Sequence, residues 1–165
     1  MTDIKIRPAT AADAEAIATI YNQGIEDRVA TLETDLRTPN ERRQWLAARG
    51  PRHPVIVAEA GGEVVGWGSL NAFSPRKAYD YVADFSTYIE RGWRGKGVGS
   101  RLLTRLIELA RELGYHKLVL SAFPWNAGGM ALYQKLGFRT VGTYKEQGKL
   151  DGRWVDTLIM EKLLE

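Results

Sequence analysis

Hydrophobic and polar positions follow two periods along this chain, near 2 and near 3.6, and the order in which those periods alternate predicts its elements. Ile4-Lys5-Ile6-Arg7 has the shorter period and reads as a strand that Pro8 ends. Thr10-x-x-Asp13 is a capping signal, and Ala14, Ile17, Ile20 and Tyr21 follow at helical spacing. Residues 25–36 are polar and aperiodic, which predicts a loop, and such loops often line functional sites. Pro39 opens a second helix carrying Trp45 and Leu46, expected to end near Gly50-Pro51. Apolar runs at 55–59 and 64–70 flank Ala60-Gly61-Gly62-Glu63, which predicts an antiparallel hairpin. After a connection containing Ser74-Pro75-Arg76-Lys77, residues 81–89 are aromatic and β-branched and predict a central strand. Val98, Leu102, Leu106, Leu109, Ala110 and Leu113 give one apolar face to a long helix that Gly114 stops. Residues 117–123 read as a strand, 127–136 as a short helix capped by Gly137, and 138–144 and 154–158 as two last strands. The order β-α-α-β-β-β-α-β-α-β-β predicts a mixed α/β fold, and the absence of a linker or repeat predicts one domain over residues 1–165.

Composition narrows the function classes. Of 165 residues, 44% are hydrophobic and 26% charged, as in a globular domain. The 23 Lys and Arg are interspersed with 20 Asp and Glu, so the net charge of +3 forms no basic stripe and predicts no nucleic-acid partner. The sequence has no cysteine, which removes disulfides, thiol nucleophiles and Cys-based zinc sites, and His53 and His116 stand too isolated to predict a metal cluster. No leader pattern and no long apolar run occur, so neither a membrane partner nor export is expected and a cytoplasmic location is.

The chemistry concentrates in residues 89–100, Ile-Glu-Arg-Gly-Trp-Arg-Gly-Lys-Gly-Val-Gly-Ser, between the central strand and the long helix. Glycines at 95, 97 and 99 let the backbone approach an anion, Arg94 and Lys96 add positive charge, and the N–H groups of Val98, Gly99 and Ser100 open the helix toward it. That predicts a pyrophosphate cradle. It is not a P-loop, because Val98 stands where the lysine belongs, and it is not a dinucleotide fingerprint, because Ser100 replaces the third glycine.

Arg94-x-x-Gly97-x-Gly99 after a strand resembles the acetyl-CoA loop of the GCN5-related N-acetyltransferases, the GNAT superfamily. Asn126, Leu132, Tyr133, Lys135, Gly137 and Phe138 are similar to the superfamily's second landmark. The stretch Gly142-x-x-x-Glu146-x-Gly148-Lys149-x-x-Gly152-Arg153-Trp154-x-Asp156 resembles the phosphinothricin N-acetyltransferase branch, as do Ile20-Tyr21-Asn22, Thr38-Pro39 with Arg42 and Trp45, and Phe73-x-x-Arg76-x-x-Tyr79. The resemblance implies a central sheet of about seven strands with flanking helices. It implies acetyl-CoA as co-substrate, a small amino-acid-like amine as acceptor, a homodimer formed near residues 149–156, and Thr87, Tyr88 and Ile89 beside the cofactor. Two other readings share the fold: a non-catalytic acyl-CoA sensor, and an acetyltransferase for a protein N-terminus or an aminoglycoside.

An amine attacks a thioester only as the free base, so the site needs a proton acceptor. Asp84 stands where family members usually carry Glu, on one strand face with Ser86 and Tyr88; its competing reading is an ion pair with a neighbouring Arg or Lys. Tyr133 matches the superfamily's acid for the leaving thiolate, against the alternative of a half-buried helix tyrosine. Asn126 matches the residue that bonds the pantetheine arm and also suits a helix N-cap, while Gly129 replaces a common Ser. Arg76 and Tyr79 are candidates for an acid group on the acceptor, with Phe85, Ser86 and Phe123 in its pocket and Trp125 and Trp154 as further aromatic walls or plain core. Asp80 stands where some members of the branch carry Arg, and this reversed charge weighs against phosphinothricin itself.

Overall fold

The computed structural model describes residues 3–29 and 31–165. Its strands are β1 Ile4–Pro8, β2 Val55–Ala60, β3 Glu63–Ala72, β4 Val82–Ile89, β5 Lys117–Ala122, β6 Arg139–Leu150 and β7 Arg153–Leu163. Its α-helices are α1 Ala14–Glu26, α2 Pro39–Ala47, α3 Val98–Glu112 and α4 Ala127–Lys135. The strands form one seven-stranded sheet in the order β1-β2-β3-β4-β5-β7-β6, the mixed α/β architecture expected from the sequence.

Helices cover both faces. The apolar stripe of α3, with Leu102, Leu103 and Leu106 fully buried, packs on Leu70, Ala83, Phe85, Leu118 and Met160. On the other face Ile17, Tyr21 and Ile25 of α1 and Trp45 of α2 close over Val57, Trp67 and Tyr88. Because Ala83 and Phe85 face α3, the strand period sends Asp84, Ser86 and Tyr88 toward α1 and α2.

The pairing of β4 and β5 creates the opening. They are the one parallel pair in the described sheet and share three rungs, Val82↔Lys117, Ala83↔Leu118 and Asp84↔Val119. Beyond Asp84 they part, while β4 stays paired with β3 as far as Ile89. The β5-facing edge of residues 85–89 is left without a strand partner, and backbone polar groups there need a ligand or solvent.

Four elements differ in extent from expectation. α1 runs through Ile25, which is buried, because Ile20, Tyr21, Gly24 and Ile25 continue the helical stripe beneath the polar Asn22-Gln23 step. α2 ends at Ala47, short of Gly50, where Arg49 turns inward to donate to the His53 carbonyl at 2.8 Å. The last two strands are longer than their alternation suggests, since irregularities at Thr140/Gly142 and Tyr144/Gly148 reset the side-chain period partway along β6. Among the described residues no helix is long and apolar enough to cross a membrane.

Candidate active site

Two cavities meet where β4 and β5 diverge. The larger, about 480 Å³, is bounded by Thr87, Tyr88, Ile89, Arg94, Gly95, Gly97, Gly99 and Ser100 on one side and Asn126, Gly129, Leu132 and Tyr133 on the other. Gly97 is the N-cap of α3 at φ 86°, and Gly95 lies at φ 76°. A Cβ on either would meet no atom within 4 Å, so the left-handed backbone, not crowding, favours glycine at both. The first turn of α3 has no acidic residue to neutralise its N-terminal N–H groups, so it presents uncompensated positive potential to the cavity. Arg94 Nη1 donates to Asp27 Oδ2 at 2.7 Å, and Arg91 donates to the same carboxylate, which ties the cradle to the end of α1. These two arginines hold the Asp27 carboxyl below the usual carboxylate range, the Arg91 hydrogen bonds contributing most. Lys96 and Val98 do not line the cavity: Lys96 Nζ sits 5.3 Å from the Trp93 ring centroid, and Val98 is buried core. The Val98 side chain is the first of the apolar stripe of α3, as the helical spacing predicts, which leaves its backbone N–H as the group turned to the cradle.

The smaller cavity, about 230 Å³, is lined by Phe85, Ser86, Thr87, Tyr88, Leu120, Ser121, Ala122, Phe123, Asn126, Tyr133 and Thr157, with Val29, Thr31 and Leu32 from the loop after α1. None of these side chains carries a formal charge at neutral pH. The loop is tied down on two sides. Arg28 pairs with both Asp151 oxygens at 2.8 and 3.0 Å, and Trp125 Nε1 donates to the Arg28 carbonyl at 3.1 Å. Trp125 in turn stacks on Phe123, with ring centroids 4.4 Å apart.

Thr87, Tyr88, Asn126 and Tyr133 line both cavities and mark their junction. Burial pushes the Tyr133 phenol above the ordinary tyrosine value, partly offset by a hydrogen bond with Thr87, so it stays a proton donor at neutral pH. Asn126 takes the N-cap role: its Oδ1 accepts from Gly129 N at 3.1 Å. A Cβ at Gly129 would come within 2.6 Å of Asn126 Nδ2, so this pose of the cap depends on glycine.

Asp84 lines neither cavity. It lies beside Ser86 on the same strand face, two residues before it, with its carboxyl raised above the usual range chiefly by burial and opposed by a hydrogen bond from Asn71 and the charge of Arg49. On this side Arg49 donates to Asn71 Oδ1 at 2.9 Å. Arg76 and Tyr79 also lie outside both cavities; Tyr79 is exposed and meets the Phe73 ring edge-on at a centroid distance of 5.5 Å. Their side chains belong to the short turn Lys77–Tyr79 and its cap, which precedes β4 at the end away from the divergence. Phe123 is buried, whereas Trp125 and Trp154 are 50% and 61% exposed and are not core. Thr31, Thr157, Arg49 and Asn71 carry no motif; they reach the site through loop closure and strand register. Among the described residues no three His, Asp or Glu side chains gather as metal ligands.

Comparison with known proteins agrees with this geometry. Residues 16–138 match the acetyltransferase (GNAT) family. An L-methionine sulfoximine/L-methionine sulfone acetyltransferase of Pseudomonas paraeruginosa is 36% identical, covering 97% of this chain and 94% of the relative. The structure of a ribosomal-protein-alanine N-acetyltransferase from Brucella melitensis superimposes with a TM-score of 0.94 at 40% identity, covering 97% and 99% of the two chains. That of a GNAT superfamily phosphinothricin acetyltransferase from Sinorhizobium meliloti, in complex with AcCoA, gives 0.92 at 31% identity, covering 98% and 88%. The parted strands, the glycine cradle and these likenesses identify the chain as a member of the GNAT family and an N-acetyltransferase.

Proposed function

We propose that the protein transfers the acetyl group of acetyl-CoA to the α-amine of a small amino acid whose side chain is neutral, of the methionine sulfone or methionine sulfoximine type. The observation that carries this reading is the 230 Å³ acceptor cavity, lined by hydroxyls, one amide and apolar groups and by no charged side chain. Its size suits a free amino acid, below the roughly 300 Å³ at which drug-sized pockets begin. A phosphinate would bring a further negative charge, beyond the carboxylate common to all these amino acids, into a lining without a cation, and a polycationic aminoglycoside would find no anion there, whereas a sulfone or sulfoximine finds donors in Ser86, Ser121, Thr31 and Thr157.

Acetyl-CoA fits the larger cavity. Its pyrophosphate would face the backbone of Gly95, Gly97 and Gly99 and the opening turn of α3, and its pantetheine arm would satisfy the unpartnered edge of β4. When bound it supplies an activated thioester. Asp84 accepts the proton of the acceptor ammonium through a water held at Ser86, since the carboxylate is beside that residue but does not itself line the cavity. The free amine then adds to the carbonyl carbon, the C–S bond breaks as the Tyr133 phenol gives its proton to the departing sulfur, and the surplus proton on the new amide nitrogen leaves through water to restore the phenol. Burial favours both roles: it raises the carboxyl toward working pH and keeps the phenol protonated.

We also infer a homodimer. Val141, Tyr144 and Trp154 are more than half exposed along β6 and β7, apolar side chains at the end of the sheet that a second copy would cover.

A thiol-release assay with methionine sulfone, methionine sulfoximine, phosphinothricin and a peptide beginning with alanine tests the acceptor. The sulfone and sulfoximine should be turned over at least about tenfold faster than phosphinothricin, the discrimination worth about 1.4 kcal/mol. The 40% identity to a ribosomal-protein-alanine N-acetyltransferase motivates the peptide arm, and preference for it would replace the amino-acid reading. Acetyl-CoA binding with no acceptor-dependent release would contradict transfer to any member of the panel.

A further inference from the structure

Asn71 of β3 stands opposite Asp84 of β4 in the antiparallel ladder. Two donors converge on its Oδ1: Arg49 Nη2 at 2.9 Å and Ser69 Oγ at 3.0 Å. An NH₂ group in that place would set donors against the guanidinium, so the amide has one orientation. Its Nδ2 therefore faces the other way, donating to Ser86 Oγ at 3.2 Å on the side where its cross-strand partner Asp84 lies. Arg49 is itself fixed. Its Nε donates to the His53 carbonyl at 2.8 Å, Nη2 also donates to the Leu70 carbonyl, and the guanidinium lies 4.4 Å from the Trp45 ring centroid.

We infer that Asn71 is a positioning residue for acetyl transfer: locked by Arg49 and Ser69, its amide holds the Asp84 carboxylate and the Ser86 hydroxyl in one fixed relation beside the acceptor cavity. The inference rests on Asp84 as the base. The groups that face this carboxylate are the Arg49 guanidinium from the segment after α2, the Asn71 amide from β3 and the Ser86 hydroxyl from β4, while its β5 neighbour Val119 is apolar. Arg49 thus acts on the base in two ways, through its charge and through the side chain it orients. Burial alone would leave the carboxyl protonated over more of the working range; the Asn71 donor and the Arg49 charge favour its ionised form.

The test is the pH dependence of kcat/KM for acetyl transfer to methionine sulfone. Wild type, Asn71→Ala, Asn71→Ser, Asn71→Asp and Asp84→Asn are compared, with acetyl-CoA affinity by calorimetry as a check on folding. Asn71→Ala and Asn71→Ser remove the amide donor, so the acid limb should move up by about one pH unit while acetyl-CoA affinity stays near wild type. Asn71→Asp places a second carboxylate opposite the first and should move the limb further in the same direction. An acid limb that stays at its wild-type position in the folded Asn71 variants, but vanishes in Asp84→Asn, would overturn the positioning role and leave the base in place. A wild-type limb that persists in Asp84→Asn would overturn both.

Discussion

Asp84 faces Val119 across the last rung shared by β4 and β5, and the cleft opens one residue later. The carboxylate is therefore held by intact sheet on both sides, opposite Asn71 on one and Val119 on the other, while Phe85, Ser86 and Thr87 line the opening. This places the proposed base on the rigid part of the strand and the substrate contacts on the part that has lost a neighbour.

The cradle predicts a separation of binding from folding. Gly97→Val forces a β-branched residue to φ 86° in space that is otherwise open. It should raise the acetyl-CoA Kd by about a hundredfold, equivalent to about 3 kcal/mol of strain and lost backbone approach. Calorimetric titration checks this, and an unchanged Kd in a folded variant would move the pyrophosphate elsewhere.

Tyr133→Phe should retain acetyl-CoA affinity, because the ring keeps its edge-on contacts with Phe85 and Phe138 at 6.0 and 6.1 Å. The acetyl-transfer rate should fall by about a hundredfold, the low end of general-acid catalysis, since a thiolate leaves readily without full protonation. A presteady-state measurement of thiol release with saturating acceptor reads that step directly.

The order of elements was legible because each segment is locally consistent, with a strand period, a helix stripe or a turn residue that agrees with the fold. The cradle was legible for the same reason, since glycines 95, 97 and 99 are contiguous with the strand and helix they join. Thr31, Thr157 and Asn71 were not, because their places depend on long-range register and on a loop tied by Arg28 to Asp151. Arg76 and Tyr79 illustrate the converse. Proximity to Asp84 along the chain put them in the acceptor pocket, but β4 leads from their turn through Asp84 toward the divergence, and the described cavities lie at its far end.

The N-terminal ion pair predicts an acid-sensitive stability increment. Asp13 is nearly buried, accepts from Arg7 at 2.9 and 3.0 Å and from Thr10 N at 2.8 Å, and the Arg7 hydrogen bonds hold its carboxyl below the usual range. A folded-state pKa below the unfolded one gives stability above the unfolded pKa and loses it as pH falls through the folded one. Asp13→Asn should cost about 2 kcal/mol at neutral pH, a drop in Tm of about 4–8 °C. The deficit should shrink in scans taken below about pH 4, the ordinary unfolded-state carboxyl range, as the pH falls toward the depressed folded-state value.

Trp154 predicts assembly. Its side chain is 61% exposed, with Lys149 Nζ 5.4 Å from the ring centroid. Light scattering should give a dimer mass, and Trp154→Glu should shift it toward monomer by setting an unpaired charge in the contact. A monomer at all wild-type concentrations would remove the second copy from the account.

The acetyl-transfer rate of Asp84→Asn at neutral pH tests the central claim most directly, because asparagine keeps the shape of the side chain and removes its basicity. The rate should fall by about two to four orders of magnitude with near-normal acetyl-CoA affinity, recover partly as rising pH supplies free amine, and be retained in Asp84→Glu. An Asp84→Asn enzyme that turns over methionine sulfone at the wild-type rate at neutral pH would contradict it.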